Sequence, residues 1–174
     1  MSDVERFYGD HRDGVFRYLR RVLGGSEAAR DLTQEVFLRV SRAGVPETNE
    51  IGRRAWVFQI ARNLALNHLR DGRRRPVMVG LVHSVVPATQ ELAVALHAAI
   101  AALPELDRDV FLLRETTGLS YQEIAVACEL PVEGVGSRLH RARQTLRSTL
   151  GQSLRLAEQR GVRCVTAGSR VDDE

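Results

Sequence analysis

Residues 118–150 read GLSYQEIAVACELPVEGVGSRLHRARQTLRSTL, and this stretch decides the fold. Ser120 followed three residues on by Glu123 has the spelling of a capping box, in which side chain and backbone satisfy each other's free donors at a helix start. A short helix is therefore expected over Tyr121 to Cys128. Glu129 to Pro131 form a tight turn, and a longer helix follows to about Leu150. Along it Val135, Leu139, Ala142 and Leu146 recur at 4, 3, 4 spacing, one inward face of an α-helix. Ile124 and Ala125 supply the small contact surface that a close helix crossing needs. The pattern is helix, turn, helix. Ser137, Arg138 and Arg141 lie on the opposite side, where a helix in the major groove reads guanine edges with Arg and holds phosphate with Ser or Arg. A plain helical hairpin with solvated arginines is the alternative.

Upstream, Leu92, Leu96, Ile100 and Leu103 share one helical face, Pro104 stands at a helix start, Val110 to Arg114 run along that helix, and Gly118 stops it. The first half reads as three more helices. Phe7, His11, Val15, Tyr18 and Val22 form the stripe of the first, which Gly24 and Gly25 end. Ser26 is positioned to cap the second, where Leu32, Val36 and Val40 form an apolar line while Asp31, Gln34 and Glu35 point elsewhere. Gly44, Val45 and Pro46 open a loop. A third helix, from about Gly52 to Asp71, carries Trp56, Ile60 and Leu64 one turn apart, with Gln59, Asn63, Asn67 and Arg70 on a neighbouring polar strip. The i+4 partners of Trp56 give it a core role over stacking on a base.

Composition agrees with an all-α fold. Of 174 residues, 44% are hydrophobic and only 5% aromatic, and every one of the 25 basic residues is Arg, a balance that favours helix over sheet. No window approaches a membrane span, so no membrane insertion and a cytoplasmic protein are expected. Cys128 and Cys164 lie far apart and read as reduced, structural thiols. The five histidines, His11, His68, His83, His97 and His140, show no ligand spacing. With no phosphate loop or nucleophile motif either, the expectation is no metal, no cofactor and no enzyme activity.

Charge is unevenly spread although the net is only +3. Residues 53 to 75 carry seven Arg against one acid, and residues 134 to 150 carry four Arg and none. Residues 91 to 133 carry eight acids against two Arg, and residues 1 to 52 carry nine acids against eight Arg. Such blocks suggest distinct faces for distinct partners, cationic segments for phosphate and acidic ones for protein, or else a solvated surface. Residues 73 to 90 begin Arg73-Arg74-Arg75-Pro76 and end past Pro87 without helical period. They read as a linker, yet Val77, Val79, Leu81, Val85 and Val86 also suit a short strand or a segment lying against a neighbouring domain.

The wording of the motifs adds a resemblance. Gly118-Leu-Ser-Tyr-Gln-Glu-Ile-Ala125, Leu130-Pro-Val and Ser137-Arg-Leu-His-Arg-Ala-Arg143 resemble region 4 of the extracytoplasmic-function (group 4) sigma factors of the sigma-70 family. Asp31-Leu-Thr-Gln-Glu-Val-Phe-Leu-Arg-Val40 and Arg54-Ala-Trp-Val-Phe-Gln-Ile-Ala-Arg-Asn-Leu-Ala-Leu-Asn-His-Leu-Arg70 look like that family's region 2. The resemblance implies two small helical domains joined by a linker: region 2 over 1–75, a linker over 76–90, region 4 over 91–150, and a C-terminal extension over 151–174. It also implies a factor that carries core RNA polymerase to specific promoters, region 4 reading the −35 element and region 2 opening the −10 element. By motif position, Asp31, Gln34 and Glu35 would grip the β′ clamp, and region 4 would meet the β flap. Asn63 would flank the pocket for an extruded base, with Arg53, Arg54, Arg62, Asn67 and Arg70 along the −10 strand. Ser137, Arg138, Arg141 and Gly134 would serve the −35 element. An anti-sigma factor is a further implied partner.

The chain departs from the family pattern in places. Glu129 stands where Gly usually permits a left-handed backbone, which implies a looser turn or a strain of about 1 kcal/mol. Glu133 and Gly134 replace a usual Gly-Thr pair and Gly136 a common basic residue, so the recognition helix is expected to begin acidic and less helical. Residues Glu47 to Ile51 lack the aromatic, basic and small residues common in the base-capturing loop. These departures leave a second reading, a sigma-like decoy or adaptor that binds a protein partner without directing initiation.

Overall fold

The computed structural model of the chain describes residues 3–74 and 88–166, with backbone alone over 73–74, 88–93 and most of 153–166. Seven helices follow in order among the described residues: α1 (Asp3–Leu23), α2 (Ser26–Ala43), α3 (Glu50–Arg74), α4 (Ala88–Ala101), α5 (Glu105–Thr117), α6 (Tyr121–Cys128) and α7 (Val132–Thr166). No strand occurs among those residues, and the fold is all-α in two helical units. The apolar segment from Val77 to Val86, whose strand or loop character the sequence leaves open, lies outside the described residues, as does Arg75.

Local chemistry places the helix ends. Gly24 (φ 72°) and Gly44 (φ 76°) close α1 and α2 in backbone conformations that a Cβ disfavours. Ser26 does not cap α2. Gly25 takes the cap position at φ −149° and ψ 155°, and no side chain bonds there, so Ser26 is the first helical residue. At α6 the capping box forms as expected, with Glu123 N donating to Ser120 Oγ at 3.2 Å and Ser120 N to Glu123 Oε2 at 2.6 Å. Gly118 ends α5 in the left-handed region at φ 67°.

In the first unit α1, α2 and α3 pack on one another, burying Phe7, Val15, Tyr18 and Leu19 of α1 with Val36, Phe37 and Val40 of α2. The deep residues of α3 are Ala55, Val57, Phe58, Ala61, Leu64 and Ala65, while Trp56 and Ile60 are only half-buried at the edge of the core. The single stripe expected for α3 is thus corrected to two buried faces. The reason is that α6 packs against α3 and α5 against α1, so α3 is enclosed by neighbours from both halves of the chain. The second unit closes α5, α6 and α7 around Leu112, Leu113, Ile124, Val135, Leu139, Ala142 and Leu146. One apolar cluster runs through both units.

His11 is the titratable group of the α1 stripe. It is 8% exposed, its ring lies 4.4 Å from that of Phe7, and its Nε2 is 3.7 Å from Glu50 Oε1. Burial lowers its pKa below 6.5; Arg54 acts in the same sense, while Glu50, Asp10 and Glu123 oppose. A lowered folded-state pKa means that the folded chain releases the proton first. The associated stability is therefore complete above pH 6.5 and is lost as pH falls through the lower folded-state value. Thermal melts from about pH 8 to about pH 5 will show this loss, and His11→Gln will flatten the dependence. An unchanged slope in the variant would remove His11 from the account.

Candidate nucleic-acid interface

The polar strip of α3 is set by helical spacing. Asn63 and Asn67 are exposed, with Arg70 beyond them, whereas Arg62 turns inward at 13% side-chain exposure. Arg53 donates through Nε to the carbonyl of Pro46 at 3.2 Å, which ties the start of α3 to the preceding loop. On α7, Ser137 is exposed and Arg138 and Arg141 lie on the side opposite Val135, Leu139 and Ala142, as the stripe requires. Gly134 is half-buried within the first turns of α7. On α2, Asp31 and Gln34 are exposed, and Glu35 pairs with Arg39 one turn on at 2.8 Å.

The arginines meet acids of the same chain. Arg62 Nε lies 2.7 Å from Asp109 Oδ2, Arg70 3.5 Å from Glu105, and Arg54 3.5 Å from Glu123. Arg54 also donates to the carbonyl of Thr117, at the negative end of α5. Gln59 Nε2 donates to Glu129 Oε1 at 2.7 Å. Within the second unit Asp107, 1% exposed, takes Arg138 at 2.9 Å and Arg141 at 3.4 Å, and Glu115 takes Arg143 at 2.7 Å. Opposed charge blocks that suggested separate faces for separate partners are therefore, in this structure, largely partners of each other.

The Arg62–Asp109 pair sits in a buried polar pocket with Tyr18, Arg108 and Cys128. Burial raises the carboxyl pKa of Asp109 above its ordinary value despite Arg62, and it drives Tyr18 far upward. Burial opposes the charge of Arg62, but Asp109 outweighs it and holds the guanidinium more firmly protonated. The Cys128 thiol is pushed up to about 12 by burial, which suits an inert packing residue. The side chain of Cys164 lies outside the described residues. Among the described residues no group of His, Cys, Asp and Glu has the geometry to hold a metal ion, and no helix is long and apolar enough to cross a membrane.

The turn before α7 keeps its left-handed geometry. Glu129 stands at φ 56° and ψ 47°, with its N–H bonded to Val126 O and the N–H of Leu130 to Ala125 O. It is not loosened, so the residue carries the strain. Nor is the helix that follows frayed at its start: α7 is helical from Val132 through Gly134 and Gly136. A Cβ on Gly136 would meet the ring of Tyr121 at 3.6 Å, an ordinary van der Waals contact, so glycine is not required there by lack of space. The acids Glu105, Asp107 and Asp109 were visible in the sequence only as part of an acidic block. Their alternation from the first turn of α5 was the available signal.

Comparison with known proteins follows this geometry. The sigma-70 region 2 family model matches residues 7–75 and the sigma-70 region 4 model residues 93–146. The ECF RNA polymerase sigma factor SigE of Mycolicibacterium smegmatis is 35% identical over 166 residues, and the match covers 87% of this chain and 63% of that protein. The RNA polymerase sigma-H factor of Pseudomonas aeruginosa is 30% identical over 168 residues, covering 82% of this chain and 87% of that one. The ECF sigma factor SigC of Mycobacterium tuberculosis is 32% identical, covering 82% and 80%. Among solved structures, the sigma factor RpoE of Bartonella quintana, in complex with the anti-sigma factor NepR, shares the fold at a TM-score of 0.65 and 20% identity over 87% of this chain and 98% of that one. CnrH, in complex with the cytosolic domain of CnrY, does so at 0.63 and 24%, over 86% and 88%.

Proposed function

The chain belongs to the extracytoplasmic-function branch of the sigma-70 family, and from that membership we propose that it binds core RNA polymerase and directs it to a narrow set of promoters. The observation that carries this is the order of two family segments, 7–75 and 93–146, each with polar side chains exposed where DNA contacts are expected. Residues 1–75 act as the polymerase and −10 unit and residues 91–150 as the −35 unit, joined by 76–90 and followed by an extension over 151–174. The chain performs no catalysis and acts in the cytoplasm, where polymerase and promoter meet.

Asp31, Gln34 and Glu35 form an acidic and amide surface on α2 suited to a basic helix of the β′ clamp. Region 4 docks on the β flap. Asn63 flanks the extruded base of the −10 element, Asn67 and Arg70 follow the strand, and Arg53, Arg54 and Arg62 contact its phosphates, which offsets the cost of unstacking. Ser137, Arg138 and Arg141 meet the −35 duplex, where Gly134 lets the backbone approach. An anti-sigma factor is a fitting partner, since a sigma factor of the same fold was solved in complex with one.

Run-off transcription with purified core enzyme tests this. The chain is expected to start transcripts from promoters upstream of its own operon. Arg138→Ala or Arg141→Ala should weaken −35 footprints by about tenfold or more, and Asn63→Ala should reduce permanganate reactivity of the −10 strand. Silence on every such promoter would favour the decoy or adaptor, a role for which the acidic Glu129 and Glu133 at the turn and start of α7 also speak.

A further inference from the structure

Asp107 is a buried acid between two arginines of the next unit's last helix. It stands in the first turn of α5, where a helix N-terminus favours negative charge, and only 1% of its side chain is exposed. Arg138 Nη1 donates to its Oδ1 at 2.9 Å, and Arg141 Nη1 lies 3.4 Å from its Oδ2. The two contacts differ in kind. The first is a directed hydrogen bond, whereas Oδ2 accepts none and holds Arg141 by charge. Both arginines keep an outward side, with side-chain exposures of 30% and 59%. A guanidinium carries five N–H donors in a rigid fork, and the bond to Asp107 uses one terminal nitrogen of Arg138. The Nε–Nη2 edge, which can grip a guanine or a phosphate with two parallel bonds, is not engaged by Asp107.

We propose that Asp107 is a positioning residue for the −35 contact: it holds Arg138, and Arg141 beside it, as a preformed pair, and so turns attraction for phosphate into discrimination of sequence. This rests on the assignment of α7 to the −35 element. Arg138 and Arg141 stand three residues apart on one face of α7, so their like charges repel, and a carboxylate between them offsets that repulsion. Burial makes the carboxylate an anchor, since it has no solvent to turn to. A long side chain ordered before binding forfeits less freedom when it meets a base, and that saving is realised only where the geometry fits, at the cognate sequence. An unrelated sequence is held through its phosphates, which need charge without orientation, and there the negative charge of Asp107 subtracts from the attraction. Asp107 therefore acts in opposite directions on the two kinds of site.

The test uses the full chain assembled with core polymerase and two duplexes, one spanning the −35 region upstream of the chain's own operon and one with those bases scrambled. Asp107→Asn should weaken binding to the first by about tenfold and leave binding to the second unchanged or up to about threefold tighter. Glu115→Gln removes the acid paired with Arg143 between the same two helices, with the same change of net charge, and should leave the ratio of the two affinities within about twofold of the parent's. In an Arg138→Ala background the effect of Asp107→Asn on that ratio should fall below about twofold, because the group it acts through is gone. If Asp107→Asn folds poorly, Asp107→Glu keeps the charge and shifts it by one methylene, and it should lower the ratio in the same direction. NMR relaxation of the Arg138 Nε–Hε group in the free chain should show it ordered in the parent and loosened in Asp107→Asn. A residue that only braced α5 against α7 would weaken both duplexes together, and one that only competed with phosphate would tighten both together; either result overturns the proposal. A parent that binds both duplexes equally sinks the −35 assignment and this role with it, whereas a parent and an Asp107→Asn variant that discriminate equally sink the role of Asp107 alone.

Discussion

Truncation of Phe58 to alanine will destabilise the chain by about 3–5 kcal/mol, the range for removing a large aromatic side chain from a core that cannot collapse. Phe58 is 2% exposed, and its ring stands edge-on to that of Tyr18 at 6.1 Å and 86°. Its tip lies 3.4 Å from where a Cβ of Gly14 would be, so α1 packs directly on the ring. Since α3 is packed by α1 and α2 on one side and by α6 on the other, no neighbour is free to move into the vacated space. Urea unfolding followed by helical circular dichroism is the measurement. Tyr18→Phe is the internal contrast: its hydroxyl is buried without a partner, so its removal should be neutral or slightly stabilising. A loss below about 1 kcal/mol for Phe58→Ala would mean that α6 is not closed on α3 in solution.

That enclosure also explains what the sequence reveals and what it conceals. The stripe from Phe7 to Val22, the capping box at Ser120 and the 4, 3, 4 row on α7 are local patterns, each complete within a few turns, and they appear in the structure where spacing puts them. Val57, Phe58 and Ala61 escaped because periodicity finds one buried face, whereas α3 is packed by α1, α2 and α6 together. The same holds for charge. Counting gave a basic α3 and an acidic stretch over 91 to 133, yet nothing in either count says that Asp109 lies 2.7 Å from Arg62. The family resemblance assigned residues of α3 by motif, and it carried no information on the acids of α5 that pair with them here. Ser26 failed as a cap for a simpler reason: the helix starts one residue earlier than its spelling suggests, with Gly25 at the cap position and Ser26 already inside the first turn.

Arg62→Ala should have the second large effect on stability, and on DNA binding it should act opposite in sign to the loss of its partner. The pair is buried, with side-chain exposures of 13% and 1%, and deleting one member of such a pair costs about 3–5 kcal/mol because a charge is left without compensation. Asp109 can escape part of that cost by taking up a proton. Burial has already raised its folded-state pKa, so the folded chain holds the proton to higher pH than the unfolded one does. Stability linked to Asp109 is therefore present at low pH and lost as pH rises through that raised value. The destabilisation of Arg62→Ala should accordingly be smaller at about pH 5 than at about pH 8, where the carboxylate stays charged with only Arg108 to oppose its burial. On DNA the two partners should separate completely. Arg62 pairs with Asp109 and is proposed above to contact the −10 strand; on that proposal Arg62→Ala should lower single-strand affinity and promoter opening. Asp109→Asn removes only the competitor and should raise affinity. In the double variant the gain from Asp109→Asn should shrink toward nothing, because the group it frees is gone. Equal and additive effects on DNA binding would show that Arg62 does not exchange one partner for the other, leaving the pair as packing between α3 and α5 alone.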